Sequence, residues 1–135
     1  MIKGIGHAAY TVADMEKSLD FYCNVLGFEK LFDLHNIKDE PWIVYLKVSE
    51  GQYIELFYGG EKKVQIDGST IGYSHLCFEV ENIEVIANHL KSKGYTLDVE
   101  PKEGLDGNYQ CWVKDPDKNR IEFIQMRPDS LQLRT

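Results

Sequence analysis

An α+β fold of two tandem βαβββ modules is what this sequence predicts, on three observations. Short runs rich in β-branched and aromatic residues alternate with two segments whose apolar residues recur at helical spacing. The second half restates the landmarks of the first at a nearly constant offset. One His and one Glu recur at that same offset, inside strands that are otherwise apolar.

Residues 5–12 are small or β-compatible and read as a strand. Asp14 follows as an N-cap, with Glu16 in the first turn where the helix dipole favours a negative charge. Met15, Leu19, Tyr22 and Leu26 keep helical spacing, Phe21 and Val25 widen the stripe, and Gly27 stands where a left-handed cap is wanted. Strands are then expected over 28–34, 42–48 and 52–58, the last two joined by the turn Glu50-Gly51. Residues 59–72 are glycine-rich and polar and form a connector, with Val64 and Ile66 as its apolar anchors. The pattern then restarts. Residues 73–80 are a strand, Asn82 caps a helix bearing Ile83, Ile86 and Leu90, and Gly94 ends it. Strands follow over 95–99, 109–114 and 120–125, with a Gly- and charge-rich loop at 102–107. Module one thus spans 1–58 and module two 73–126 of a single 1–135 domain, and the tail 127–135 is expected to fray or to need a partner.

With 135 residues, 43% of them hydrophobic and 27% charged, the chain has the composition of one globular domain. No run approaches the roughly 18 apolar residues of a membrane span, and the start lacks the apolar core of a signal peptide, so a cytoplasmic location without membrane contact is expected. A net charge of −7 with no basic run argues against nucleic acid as partner. Cys23, Cys77 and Cys111 are odd in number and far apart, which excludes a disulfide framework and a Cys-x-x-Cys motif and leaves each as a small apolar residue. No phosphate loop and no Gly-x-Ser-x-Gly elbow is present.

Superposed on its landmarks, the repeat pairs Val12 with Val80 and Asp14 with Asn82 at an offset of 68, and Gly27 with Gly94 at 67. His7 matches His75 at 68, and Glu55 matches Glu122 at 67. Strand parity puts Glu55 on a face with Tyr53 and Phe57, Glu122 with Arg120 and Ile124, and His75 with Tyr73 and Cys77. The opposite faces are the apolar ones that helices would cover. A strand His taken singly is usually a hydrogen-bonded structural residue, and a strand Glu usually a solvated one. Four of them at repeat-related positions, on faces that two curved sheets would turn into a cup, instead suggest an N2O2 site for one divalent transition metal. The absence of thiolate argues against closed structural zinc, and open positions suit catalysis. His35 and His89 have no repeat partner and are expected at the surface. Trp42, Phe57, Tyr73 and Trp112 either line a pocket or belong to the core.

The chain resembles the vicinal oxygen chelate superfamily, which includes glyoxalases, bleomycin-resistance proteins and dioxygenases. The resemblance runs from Gly6-His7 through Asp14, Phe21-Tyr22, Leu26-Gly27-Phe28, Ile54-Glu55-Leu56 and Ser74-His75 to Asp115-Pro116-Asp117 and Ile121-Glu122. The order His, Glu, His, Glu is similar to that of glyoxalase I (lactoylglutathione lyase), which implies His7, Glu55, His75 and Glu122 as ligands of nickel, zinc, cobalt or manganese. It also implies proton transfer through a metal-bound enediolate on an α-oxo-aldehyde thiol hemithioacetal. In that reading Glu122 is the base, Glu55 is its catalytic counterpart, and the enzyme is a homodimer acting on a small molecule. The glutathione-contacting Arg of such enzymes is replaced by Tyr10, and an Asn by Gly59. Tyr10, Phe57, Tyr73, Lys102 and Trp112 are the candidate substrate contacts.

Two other readings stand beside this one. An epimerase acting beside a thioester carbonyl would use the same carboxylate chemistry. A metal-free protein of the bleomycin-resistance kind would use the cup only to sequester a ligand, and has no need of the full ligand set. A dioxygenase is disfavoured because its facial triad leaves no place for a fourth protein ligand.

Overall fold

The computed structural model describes residues 1–134. Two compact units divide within the expected connector, unit 1 at Met1–Val64 and unit 2 from Gln65 onward. Unit 1 runs β1 (Ala8–Thr11), α1 (Met15–Leu19) continued as a π-helix (Asp20–Val25), β2 (Glu29–His35), β3 (Pro41–Ser49) and β4 (Gln52–Phe57). Unit 2 runs β5 (Leu76–Glu79), α2 (Ile83–Ser92), β6 (Val99–Glu103), β7 (Tyr109–Lys114) and β8 (Arg120–Gln125), with a short 3-10 turn at Gln132–Arg134. The sheets have the same plan, β1-β4-β3-β2 and β5-β8-β7-β6, with the first strand of each module parallel to its last. Both βαβββ modules are therefore as the sequence predicts. No helix of the described residues is long and apolar enough to cross a membrane.

Alternation decides what each sheet buries. Val44, Leu46, Ile54 and Leu56 of unit 1 are at most 1% exposed, and Cys111, Val113, Ile121 and Phe123 of unit 2 at most 3%. These are the apolar faces on which the helices lie. Asp14 caps α1 by accepting from the Lys17 amide, and Asn82 caps α2 through the amides of Glu84 and Val85. Helix α2 buries Ile83, Ala87 and Leu90 against β6, β7 and β8.

The first helix departs from expectation midway. Leu26 N–H bonds the carbonyl of Phe21, five residues back, and Phe28 N–H bonds that of Tyr22. A wider turn advances side chains through a smaller angle per residue, so the adjacent rings of Phe21 and Tyr22 can both be fully buried. Gly27 then takes φ 82°, the left-handed cap its position suggests.

Four further expectations need correction. Strands β1 and β5 start later than expected, so His7, Tyr73 and His75 precede their strands. The strand expected over 95–99 lies instead at Val99–Glu103, because Tyr95 N–H closes the helix cap on Leu90 carbonyl and delays the chain. It is an edge strand paired only with β7, which is why Pro101 is tolerated there. Val64 and Ile66 anchor nothing, being 78% and 42% exposed. The described part of the tail, 127–134, is held in place: Arg127 N–H bonds Asn108 Oδ1 at 2.9 Å, Leu131 N–H bonds Asp106 carbonyl at 2.8 Å, and Ser130 is buried.

The turn that delivers β8 is built on one buried carboxylate. Asp115, 2% exposed, accepts through Oδ1 from the amides of Asp117 and Asn119, at 2.9 and 2.8 Å, and through Oδ2 from the Asn119 amide side chain at 2.9 Å. Asp115→Ala strands those donors and is expected to cost about 2–4 kcal/mol of unfolding free energy. Urea denaturation monitored by circular dichroism measures the loss, and a change below roughly 0.5 kcal/mol would show the turn to be held by other contacts.

Candidate metal centre

Each unit holds one His–Glu pair, and strand register explains why both arise. In unit 1, Ala9 pairs with Glu55 across β1 and β4; in unit 2, Cys77 pairs with Glu122 across β5 and β8. His7 and His75 lie two residues before those partners, hence on the same sheet face as the carboxylate. His7 Nε2 is 3.4 Å from Glu55 Oε2, and His75 Nε2 is 3.0 Å from Glu122 Oε2. The carboxylates are mostly covered, at 13% and 15% side-chain exposure, whereas the imidazoles are more open at 44% and 31%.

The remaining ring nitrogens are also engaged. Tyr45 Oη lies 3.2 Å from His7 Nδ1, and Ser74 Oγ lies 3.1 Å from His75 Nδ1. Such contacts fix ring orientation and tautomer, and so decide which nitrogen is left to face the carboxylate. Tyr45 pairs with Glu55 across β3 and β4, and Trp112 pairs with Glu122 across β7 and β8. The Tyr45 phenol is raised above its usual range by burial first, then by the charge of Glu55 and a hydrogen bond to it. The Trp112 and His75 ring centroids are 4.6 Å apart, edge to face.

The donor set suits a divalent transition ion. Two ligands at right angles, each about 2.1 Å from a metal, have donor atoms about 3 Å apart, close to both observed separations. Imidazole nitrogen with carboxylate oxygen matches a borderline ion rather than a soft one. No group of three or more His, Cys, Asp or Glu side chains placed to hold a metal occurs among the described residues, so each pair is described by itself.

The substrate-contact candidates are scattered. Tyr10 is 8% exposed, pairs with buried Leu56 and stacks on Tyr22, so it belongs to the helix-side core and not to the face of His7. Phe57 shares the face of Glu55 and meets the exposed Trp42 edge to face at 5.9 Å. Tyr73 is 45% exposed ahead of β5, and Lys102 is exposed on edge strand β6. Trp112 is the candidate that touches a proposed ligand. His35 is at the surface, bonded to Asp39 at 2.9 Å, while His89 is half-buried on α2 rather than exposed.

Two residues on these faces escape a reading of the sequence alone. Tyr45 has a signal, since it and Trp112 stand 67 apart, the offset of the two Glu residues. Cys77 is not a core residue: it is exposed and opposite Glu122. Desolvation, then the charge of Glu122 and a hydrogen bond to it, push the Cys77 thiol up to about 12. It is a neutral donor at physiological pH. Cys111, fully buried on the helix side, is pushed up to about 11 mainly by desolvation.

Each βαβββ module thus carries one His–Glu pair on the sheet face away from its helix. Residues 4–123 match the Glyoxalase/Bleomycin resistance protein/Dioxygenase superfamily, and the chain belongs to that family. It is 33% identical over 128 residues to a probable lactoylglutathione lyase of Synechocystis sp., covering 88% of this chain and 92% of that one. A probable lactoylglutathione lyase of Vibrio parahaemolyticus is 31% identical, with 94% of each chain covered. Among solved structures, a glyoxalase family protein from Enterococcus faecalis superposes with a TM-score of 0.78 at 26% identity, covering 91% of this chain and 98% of that one.

Proposed function

We propose that this chain is a divalent-metal-dependent lyase of the glyoxalase I type, acting on the hemithioacetal of an α-oxo-aldehyde and a thiol. One observation carries the reading: His–Glu pairs at repeat-related positions, with nitrogen and oxygen 3.4 and 3.0 Å apart. We take His7, Glu55, His75 and Glu122 as the ligands of one ion, nickel, zinc, cobalt or manganese, in a homodimeric enzyme. When bound, the ion supplies Lewis-acid stabilisation of the oxyanion that develops as a carbon beside a carbonyl loses its proton.

The rest falls to the chain's own side chains. Glu122 takes the proton from one substrate carbon, its carboxylate held in place by the His75 ring 3.0 Å away. Glu55 is its counterpart for returning a proton to the neighbouring carbon. Tyr45 and Ser74 hold the two imidazoles in register. Cys77 and Trp112, cross-strand neighbours of Glu122, flank the base on either side.

Metal analysis of protein purified without chelator, followed by turnover assays, tests this reading. Roughly one equivalent per pair of half-sites is expected, with activity lost to chelator and restored by the ion. Methylglyoxal should be consumed only in the presence of a thiol. Metal below roughly a tenth of an equivalent, with no gain on adding any of the four ions, would favour a ligand-sequestering protein instead. Equal turnover with and without thiols would exclude the hemithioacetal.

A further inference from the structure

Two cations in register with the open face of unit 2, Arg120 on β8 and Lys102 on β6, make no ion pair among the described residues, and Arg120 is the one that rests on the Trp112 ring. Of the basic residues on β7 and β8, Lys114 is held by Asp98 at 3.3 Å, whereas Arg120 makes no ion pair among the described residues. Arg120 is exposed and shares its strand face with Glu122 two residues on, a Cα separation of about 7 Å. Its guanidinium carbon lies 4.6 Å from the centroid of the Trp112 indole. That indole is fixed by a 2.6 Å hydrogen bond from Nε1 to Gln110 Oε1 and meets the His75 ring at 4.6 Å. One platform therefore touches both a proposed ligand and a cation.

The repeat provides an internal control. At the offset of 67, Arg120 corresponds to Tyr53 and Trp112 to Tyr45. In unit 1 those two rings pack on each other at 6.1 Å, tilted by 52°. The equivalent place in the two sheets is thus filled by an aromatic in one module and by a cation in the other. The fold does not require a charge there. Nor is a carboxylate in short supply in a chain of net charge −7. Glu122, the nearest acid on the strand, is engaged by His75.

We propose that Arg120, backed by Trp112, receives a carboxylate of the substrate and so selects anionic thiol adducts over neutral ones. This rests on the lyase reading above and names the substrate class of that site. A guanidinium lying against an indole keeps its edge N–H donors free, and their fork matches the two oxygens of a carboxylate. With the two Cα atoms about 7 Å apart on one strand face, the carboxylate of the adduct is carried on a chain reaching a few bonds beyond the reacting carbons. Adducts of short mercapto-acids, of which 3-mercaptopropionate is the simplest probe, have that reach.

The test has a binding arm and a turnover arm. Trp42→Phe leaves Trp112 as the sole indole of the two in the chain, so its fluorescence reports occupancy. Protein as purified is titrated with 3-(methylthio)propionate and with the corresponding amide at constant ionic strength. The acid should bind at least roughly tenfold tighter, a preference that Arg120→Gln erases and Arg120→Lys partly restores. Turnover of methylglyoxal with 3-mercaptopropionate, relative to its amide, should show the same preference in kcat/KM and the same loss in Arg120→Gln. Equal affinity for acid and amide, no saturable binding of either, or a preference that survives Arg120→Gln overturns the proposal. If no adduct is turned over while the acid still binds selectively, the lyase reading falls and the carboxylate site stands.

Discussion

Glu122→Gln is expected to lower kcat for hemithioacetal turnover on the order of 10³-fold, within the usual range for removing a general base. Glutamine keeps the shape of the side chain and one oxygen for a hydrogen bond with His75 Nε2, now 3.0 Å from Glu122 Oε2. It cannot take a proton at neutral pH. Because Glu122 sits mid-strand between β5 and β7, opposite Cys77 and Trp112, the substitution has little room to rearrange. The measurement is kcat and metal content on the same sample. A fall in kcat with metal retained assigns the base; turnover within about fivefold of the parent removes Glu122 from that role. The same change at Glu55, its repeat counterpart, asks whether the returning proton passes through unit 1.

Much of this was legible in the sequence because β-strands alternate and repeats keep register. The offsets of 68 and 67 that join His7 to His75 and Glu55 to Glu122 have a structural basis: Ala9 faces Glu55 as Cys77 faces Glu122. Parity alone separates the buried Ile54 and Leu56 from Glu55, and Ile121 and Phe123 from Glu122. Applied to the first strand it would have placed Tyr10 with Val12, 1% exposed, on the helix side, where the structure finds it. What parity cannot reach is tertiary bonding. The tail is ordered by the side chain of Asn108, which bonds an amide 19 residues along the chain, and no local pattern announces that contact. The π-turn after Leu19 follows from burying two adjacent rings at once, and the shift of β6 follows from the cap at Tyr95. The two residues that flank the base, Cys77 and Trp112, are common strand types whose role emerges only from their register with Glu122.

His75→Ala and His7→Ala are each expected to weaken metal affinity by more than 100-fold, beyond the ~10–100-fold typical of a residue that only supports a ligand. Each imidazole brings one nitrogen to a carboxylate oxygen at a spacing that suits adjacent ligands, and alanine leaves that carboxylate without its partner. Tyr45→Phe removes the phenol's contacts to His7 Nδ1 and Glu55 but no ligand, and should fall inside the smaller range, which makes it the comparison for His7→Ala. Calorimetric titration with nickel or zinc measures the affinities. Thermal unfolding provides a second readout, because an ion at 100 times its Kd stabilises the parent by about 2.7 kcal/mol and the increment should vanish in the His variants. If both His variants keep affinity within about tenfold of the parent, the imidazoles are hydrogen-bonded structural residues and the N2O2 set is wrong. If only one does, the ion belongs to a single unit.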